Sequence, residues 1–355
     1  MSGERIAVVL FNLGGPDGLD AVEPFLVNLF SDKAIIGLPS PWRGWLARLI
    51  AKRRAPVARG IYAQMGGRSP LRELTDAQAA ALQHALRARG VDAYVFPSMR
   101  YWHPMSEETA ARVARVDPTR VILLPLYPQF STTTTGSSLT AWAEATAELG
   151  LSVPTLAVCC YPRLRGFIET MAAGVETALA SLDEAMPRRV LFSAHGLPQR
   201  IVDRGDPYPW QVEQTVAAIV DRLGAAAGDH VLCYQSRVGP LTWIGPSTEA
   251  EIKRAGRDGR AVVVAPVAFV SEHSETLVEL DIEYRHVADA SGVPAYVRVP
   301  TAGTEPLFID GLADLVEEAM ARDGGPPRPE GGRRLCGAGL SQCVCIGATT
   351  SPGTR

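Results

Sequence analysis

Short runs of apolar, largely β-branched residues recur along the chain, separated by longer amphipathic stretches. The runs predict strands near Ile6–Phe11, Ala93–Pro97, Val121–Leu126 and Thr155–Cys159 in the first half. In the second half they predict strands near Val190–Ser193, Val231–Tyr234, Val262–Ala268 and Ala295–Val299. Several runs are apolar without alternation, as in strands of a parallel sheet covered on both faces. Asp76–Arg89 and Phe167–Ala185 carry helical periodicity between strands. Four strands per half, alternating with helices, predict an α/β chain of two doubly wound domains, each with a four-stranded parallel sheet. The expected division is 1–160 for the first domain and 161–303 for the second. A helix over 304–322 follows, then a linker and cysteine-rich tail over 323–355.

Polar residues collect just after these strands. Asn12-Leu13-Gly14-Gly15-Pro16 follows the first, Arg100-Tyr101 the second and Tyr127-Pro128-Gln129 the third. In the second half, His195, Gln235-Ser236 and an acidic segment take the same position. Ligands of open parallel sheets bind beyond the carboxyl ends of strands. Two such sheets facing each other would gather these residues around one cleft. Asn12–Pro16 is neither GxGxxG nor a Walker sequence, so it reads as a tight strand-to-helix turn. Pro16-Asp17 then favours a helix start soon afterwards.

The acidic segment, Ser271–Tyr284, reads SEHSETLVELDIEY and spaces Glu272, Glu275, Glu279 and Glu283 three, four and four residues apart. On a regular helix they fall at roughly 0°, −60°, −20° and +20°, one narrow stripe. No Lys or Arg balances it, and like charges at these spacings cost a helix about 0.2–0.5 kcal/mol per pair. A solvated helix face would explain the charge. Against that stand the buried-type strand Ala261–Phe269, which runs straight into the stripe, and His273 inside it. Hard cations, metal-bound water or protons in transit would use such a stripe. His195, in FSAHGLP at a strand end, is either a satisfied structural histidine or a group that takes a proton near neutral pH or binds a transition metal. Ser193 lacks the GxSxG setting of a nucleophile elbow.

Composition narrows the classes. At 355 residues the chain exceeds one comfortable core, and its net charge of −3 gives no reason to expect nucleic acid. No secretory signal is visible and no apolar run reaches 18 residues, so a cytoplasmic chain without a transmembrane helix is expected. Pro39–Ala55 has no acid and carries Arg43, Arg48, Lys52, Arg53 and Arg54. As a helix from Trp42 it gathers Trp42, Trp45, Leu46, Leu49 and Ile50 within about 140°. That suits either an interfacial lip over 38–56, beside an apolar ligand mouth, or a core-packing helix with a solvated basic edge. Thr132–Ser138 (TTTTGSS) could bond an anion or cap a helix at Ser137 or Ser138, and capping is the expectation. Cys336, Cys343 and Cys345 crowd the tail, and Cys159-Cys160 end a strand. Zinc would usually present a CxxC pair. An iron–sulfur centre tolerates other spacings but needs a fourth ligand, available from Cys159 or Cys160 if the tail folds back. The remaining alternative is a disordered tail with incidental thiols.

In chain order, NLGGP, KRRAP, GGRSP, MRYWHP, YPQFSTTTTGSS, LFSAHGLP, RGDPYPW, YQSRVGPLTWIGP and FVSEHSETLVELDIEY resemble the ferrochelatases, which insert ferrous iron into protoporphyrin IX to make haem. The resemblance covers Ile6 to about Arg322. It implies two Rossmann-like domains with a porphyrin cleft between them, Fe2+ and protoporphyrin IX as substrates, and no need for ATP. His195 would accept pyrrole protons or help desolvate the metal. Glu275 would be its acidic partner, with Glu272 and His273 beside it and Glu279 and Glu283 extending a path for metal or protons. Leu13, Arg53, Tyr62, Ser69, Arg100, Tyr101, Tyr127 and Trp243 match positions around the porphyrin and its propionates.

Relatives with a 2Fe-2S cluster also carry a thiol-rich tail, and a bacterial subset shares this Cys-x6-Cys-x-Cys spacing. By that likeness Cys336, Cys343 and Cys345, with Cys159 or Cys160, would hold the cluster. Relatives have a π-helical turn in the acidic segment, which would change which glutamates align. Leu13 stands where animal enzymes carry Met, and Glu272 where many relatives carry Asp. Phe130–Gly136 has only Ser and Thr where animal enzymes place the fourth cluster thiol. A cobalt or nickel chelatase acting on another tetrapyrrole, or a non-catalytic haem-binding protein, would be the alternatives. Peripheral contact with the inner face of a membrane through 38–56, and a homodimer, are compatible with this reading.

Overall fold

A computed structural model describes residues 4–237, 239 and 241–345; the end of the expected tail, 346–355, lies outside them. In chain order the strands are β1 (Arg5–Asn12), β2 (Asp92–Met99), β3 (Arg120–Pro125), β4 (Thr155–Ala157), β5 (Arg188–His195), β6 (His230–Gln235), β7 (Ala261–Pro266) and β8 (Tyr296–Arg298). They form two sheets, ordered β2-β1-β3-β4 and β6-β5-β7-β8, and every pairing is parallel. Each expected strand is present, with ends displaced by a few residues. The chain divides into two compact units, one comprising 4–161, 312–337 and 343–345, the other 162–311 and 338–342.

Burial explains the unbroken apolar runs. β1 is buried at every residue after Arg5, and β7 is buried throughout. In the first unit Ala7, Val9 and Phe11 pack with Phe96, Val113 and Trp142. In the second, Leu191, Val262 and Val264 pack with Ile252, Leu280 and Tyr296. The first strand of each sheet lies inside, with the next strand on one side and the third on the other. That reversal is the switch point where open α/β sheets bind ligands, beyond the carboxyl ends of the strands. Leu13 follows β1 there, and His195 ends β5 there.

The helices follow the sequence pattern with two changes. Pro16-Asp17 leads into a short 3-10 turn, Leu19–Ala21, before the helix Val22–Ser31. The helix Ser40–Ala63 buries Ala47, Ala51 and Ala55, four residues apart, the last two in a core with Val22, Phe25 and Leu26. Its tryptophans point the other way: Trp42 is 69% exposed and Trp45 63%. Small residues let this helix approach its neighbour closely, so the core-packing alternative for the Trp face does not hold. The acidic segment departs from the regular helix used to place its stripe. Glu275–Glu283 is a π-helix, continued by the α-helix Tyr284–Ala290.

The linker is ordered along its descent from the helix Pro306–Met320. Arg328 N donates to Ala157 O at 3.0 Å, Cys159 N donates to Arg328 O at 2.9 Å, and Val158 bridges Arg328 in parallel. These bonds lay the segment along the open edge of β4 and satisfy backbone groups that an edge strand would leave unpaired.

Candidate active site

Register builds the second-unit site. His195 pairs with Gln235 across β5 and β6, and both stand at strand ends. The backbone next to His195 is crowded: a Cβ on Gly196 would lie 2.8 Å from Gln235 O and 3.3 Å from the Trp243 ring, so only glycine fits. Tyr208 donates its hydroxyl to His195 O at 3.0 Å. His195 Nδ1 sits 2.5 Å from Gly196 O, which leaves Nε2 facing Glu275 Oε1 at 3.5 Å. The other Glu275 oxygen lies 3.7 Å from His273 Nε2. Both separations are ion-pair distances rather than short hydrogen bonds. His273 is buried against Phe269, with ring centroids 4.7 Å apart, whereas the His195 side chain is 40% exposed and open to a reactant.

Charge sets the protonation of His195 and Glu275. Burial works against an imidazolium at His195, but the Glu275 carboxylate, with Glu279 behind it, overrides burial and lifts the imidazole from 6.5 to about 9. Burial likewise works against ionised Glu275, and His195 and His273 reverse that, holding its carboxyl well below the usual carboxylate range. Glu279 goes the other way. Burial and the neighbouring Glu275 charge raise it, although Ser236 N (2.7 Å), Ser236 Oγ (2.5 Å), Gln235 Nε2 (3.1 Å) and Tyr284 OH (2.9 Å) all donate to it.

The other two glutamates have separate settings. Glu272 accepts from Arg298 Nη1 at 2.8 Å and from Thr301 N at 3.0 Å, and Arg298 also grips both oxygens of Asp281. Burial would raise Glu272, but Arg298 pulls it below its ordinary value. Glu283 is exposed at the end of the π-helix. Gln235 also donates to Glu275 O at 2.9 Å, and Tyr296 to Leu280 O at 2.7 Å, so side chains from β6 and β8 hold carbonyls of the π-segment.

In the first unit, Arg100 N and Tyr101 N donate to Asn12 O and Leu13 O, at 2.9 and 3.0 Å. Asp32 is the buried node beneath them. It accepts from Tyr101 OH at 2.7 Å and from Ser137 Oγ, and pairs with Arg100 at 3.1 Å. Arg100 Nε also donates to Ser137 Oγ at 2.6 Å. Ser137 therefore serves this polar node and does not cap a helix. The helix Thr135–Leu149 starts at Thr134 without a side-chain cap. Burial pushes the Tyr101 and Tyr127 hydroxyls up, so both remain neutral donors. Tyr62 and Ser69 are buried, Leu13 is partly so, and Arg53 is exposed.

The thiols converge in this unit too. Cys159 Sγ lies 3.1 Å from Cys345 Sγ and 3.4 Å from Cys160 Sγ, and Cys336 and Cys343 are buried nearby. Hydrogen bonds from Cys336 and Cys345 hold the Cys343 thiol below its ordinary value, while burial pushes Cys159 up. Among the described residues, no three His, Cys, Asp or Glu side chains are grouped to hold a single metal ion.

Asp32, Arg298 and Tyr208 were not singled out by sequence. Arg298 had one signal, a lone cation in the apolar run AYVRVP. Asp32 had none, because its partners lie 68, 69 and 105 residues further along the chain.

Comparison with known proteins agrees with this geometry. A family profile for ferrochelatase matches residues 5–320. A ferrochelatase of Caulobacter vibrioides (strain NA1000 / CB15N) is 51% identical over 96% of this chain and 98% of its own length. One from Phenylobacterium zucineum is 50% identical over 98% and 100%, and one from Rickettsia bellii (strain OSU 85-389) 46% over 97% and 96%. Among solved structures, SirB from Bacillus subtilis with Fe3+ aligns at a TM-score of 0.52 and 12% identity, over 89% of this chain and 96% of that one, a likeness of fold alone. With a profile spanning both sheets and half the residues shared with full-length relatives, the chain belongs to the ferrochelatase family.

Proposed function

We propose that the second-unit trio drives insertion of Fe2+ into protoporphyrin IX, with Glu275 as a fixed negative charge and His195 as proton acceptor. The observation carrying this assignment is one carboxylate set between two imidazoles at 3.5 and 3.7 Å. Insertion exchanges two pyrrole protons for one dication, so the site must receive positive charge while releasing protons. An imidazole raised to about 9 is charged at neutral pH and cannot accept a proton. Fe2+ arriving beside Glu275 competes with that imidazolium for the same carboxylate and drives its proton off. Neutral Nε2 then takes one pyrrole proton, passes it on, and takes the second in the same way. Glu279, whose carboxyl is raised, holds a proton more readily than Glu275, and exposed Glu283 passes it to solvent. The reaction needs neither ATP nor a net redox change.

The porphyrin is held by contacts remote from its centre, and binding energy realised there offsets ring distortion that exposes the pyrrole nitrogens. Arg100, steadied by Asp32 and Ser137, and exposed Arg53 supply cations for carboxylates. In the first unit Leu13, Ser69 and Tyr127 supply apolar and hydroxyl groups, with Tyr62 and Tyr101 packed in the core behind. A cobalt or nickel chelatase or a haem-binding protein is not favoured, since the relatives at 46–51% identity are ferrochelatases.

The residues also fit a 2Fe-2S cofactor, which takes four cysteine thiolates. The 3.1 Å contact supports Cys159, rather than Cys160, as fourth ligand with Cys336, Cys343 and Cys345. Bound there, the cluster would supply a clasp between the tail and the end of β4. Outward Trp42 and Trp45 beside exposed Arg48, Lys52, Arg53 and Arg54 support peripheral contact with an anionic membrane surface. No helix among the described residues is long and apolar enough to cross a membrane.

Three outcomes are expected. His195→Ala should bind porphyrin normally, by fluorescence titration, and lose about 10²–10⁴-fold in kcat; normal binding with full turnover contradicts the assignment. After anaerobic purification, wild-type protein should contain iron and sulfide, Cys159→Ser should lose both and Cys160→Ser should keep them. The reverse pattern would assign Cys160, and absence of both from wild type would remove the cluster. Trp42→Ser with Trp45→Ser should weaken sedimentation with anionic vesicles by about tenfold or more, given 1.5–3 kcal/mol for burying a large apolar side chain. Unchanged sedimentation would rule out this contact.

A further inference from the structure

Arg322 lies just beyond the helix Pro306–Met320 and beside the converging thiols. Its Nη2 donates to Ala157 O at 3.2 Å, two residues before Cys159. Its own carbonyl accepts from Arg120 Nη1 at 3.5 Å, which fixes the backbone from behind. Nε and Nη1 of Arg322 are buried and have no hydrogen-bond partner. Leaving charged donors unmet away from water is costly, so buried donors of this kind are normally satisfied. Glu318 is within electrostatic reach but receives Gly331 N at 3.0 Å. The sulfurs of Cys159 and Cys345 are within electrostatic reach of the same guanidinium.

We propose that Arg322 directs its Nε–H and Nη1–H at the sulfurs of the cysteine site and offsets the negative charge of the cluster bound there. This rests on the cluster reading above. Four thiolates, two ferric ions and two sulfides sum to a dianion, and one-electron reduction adds a further negative charge. Arg328 lies close by but donates Nη1 to Gly332 O at 3.3 Å, whereas Nε and Nη1 of Arg322 have no partner. Hydrogen bonds to sulfur and nearby positive charge both favour the reduced form and so raise the reduction potential.

The test uses the full chain, purified anaerobically, as wild type, Arg322→Gln and Arg322→Lys. Iron and sulfide per chain are measured, then the midpoint potential with dithionite as the one-electron donor. Arg322→Gln is expected to make reduction about tenfold less favourable, a fall of about 59 mV for a one-electron couple. Arg322→Lys, which keeps the charge, should recover most of that fall. A wild-type potential in Arg322→Gln at full cluster content overturns the proposal and leaves the cluster standing. Wild-type protein without iron and sulfide overturns both. If Arg322→Gln holds no cluster, the lysine variant decides: restored content supports the cation, and continued loss overturns it.

Discussion

A single carboxylate shared by two imidazoles is the interaction on which the second-unit site depends. Glu275, the first residue of the π-helix, faces both His195 and His273. A π-segment leaves wider spacing between bonded turns and is found mostly at functional sites. Here it is secured from the sheet. Gln235 donates to the Glu275 carbonyl and accepts from Ser193 at 2.8 Å, and Ser193 contacts Thr248 at the same distance. The strand register that pairs His195 with Gln235 thus also positions the carboxylate opposite the imidazole.

The same interaction ties stability to pH. His195 is raised from 6.5 to about 9, so its contribution is complete below about 6.5 and lost as pH rises through 9. Glu275 is lowered from 4.5, so its contribution is complete above about 4.5 and lost as pH falls through the depressed folded value. Solvent reaches the half-exposed His195 side chain and weakens the energetic effect. On the proposed mechanism the functional consequence is larger: the resting site is already loaded with a proton, and the incoming dication would unload it. In that proposal the Glu275 carboxylate and the His195 imidazole act as one device, not two independent residues.

Much of this was legible in the sequence because it rests on local pattern. Unalternating runs such as AVVVAP announced strands buried on both faces, and the motif around His195 placed it at a strand end. The acidic stripe marked the right segment, but its wheel geometry assumed a regular helix. The π-turn came only from the family likeness, because hydrogen bonds from Gln235 and Tyr296 that help hold it are long-range. Glu272 looked equivalent to Glu275 by spacing, yet Arg298 engages it in an ion pair. Ser137 read as a helix cap because Asp32, its partner 105 residues away, has no local signature. The tail's thiols were plain in the sequence, but not which internal cysteine they meet. A contact between residues 186 apart distinguishes Cys159 from its neighbour.

The most direct test of the shared carboxylate is an NMR titration of the His195 imidazole in the metal-free protein and in Glu275→Gln. The account predicts a wild-type midpoint near 9 that falls toward about 6.5 once the carboxylate is neutralised. A wild-type midpoint near 6.5, or one that the substitution leaves unmoved, would contradict it.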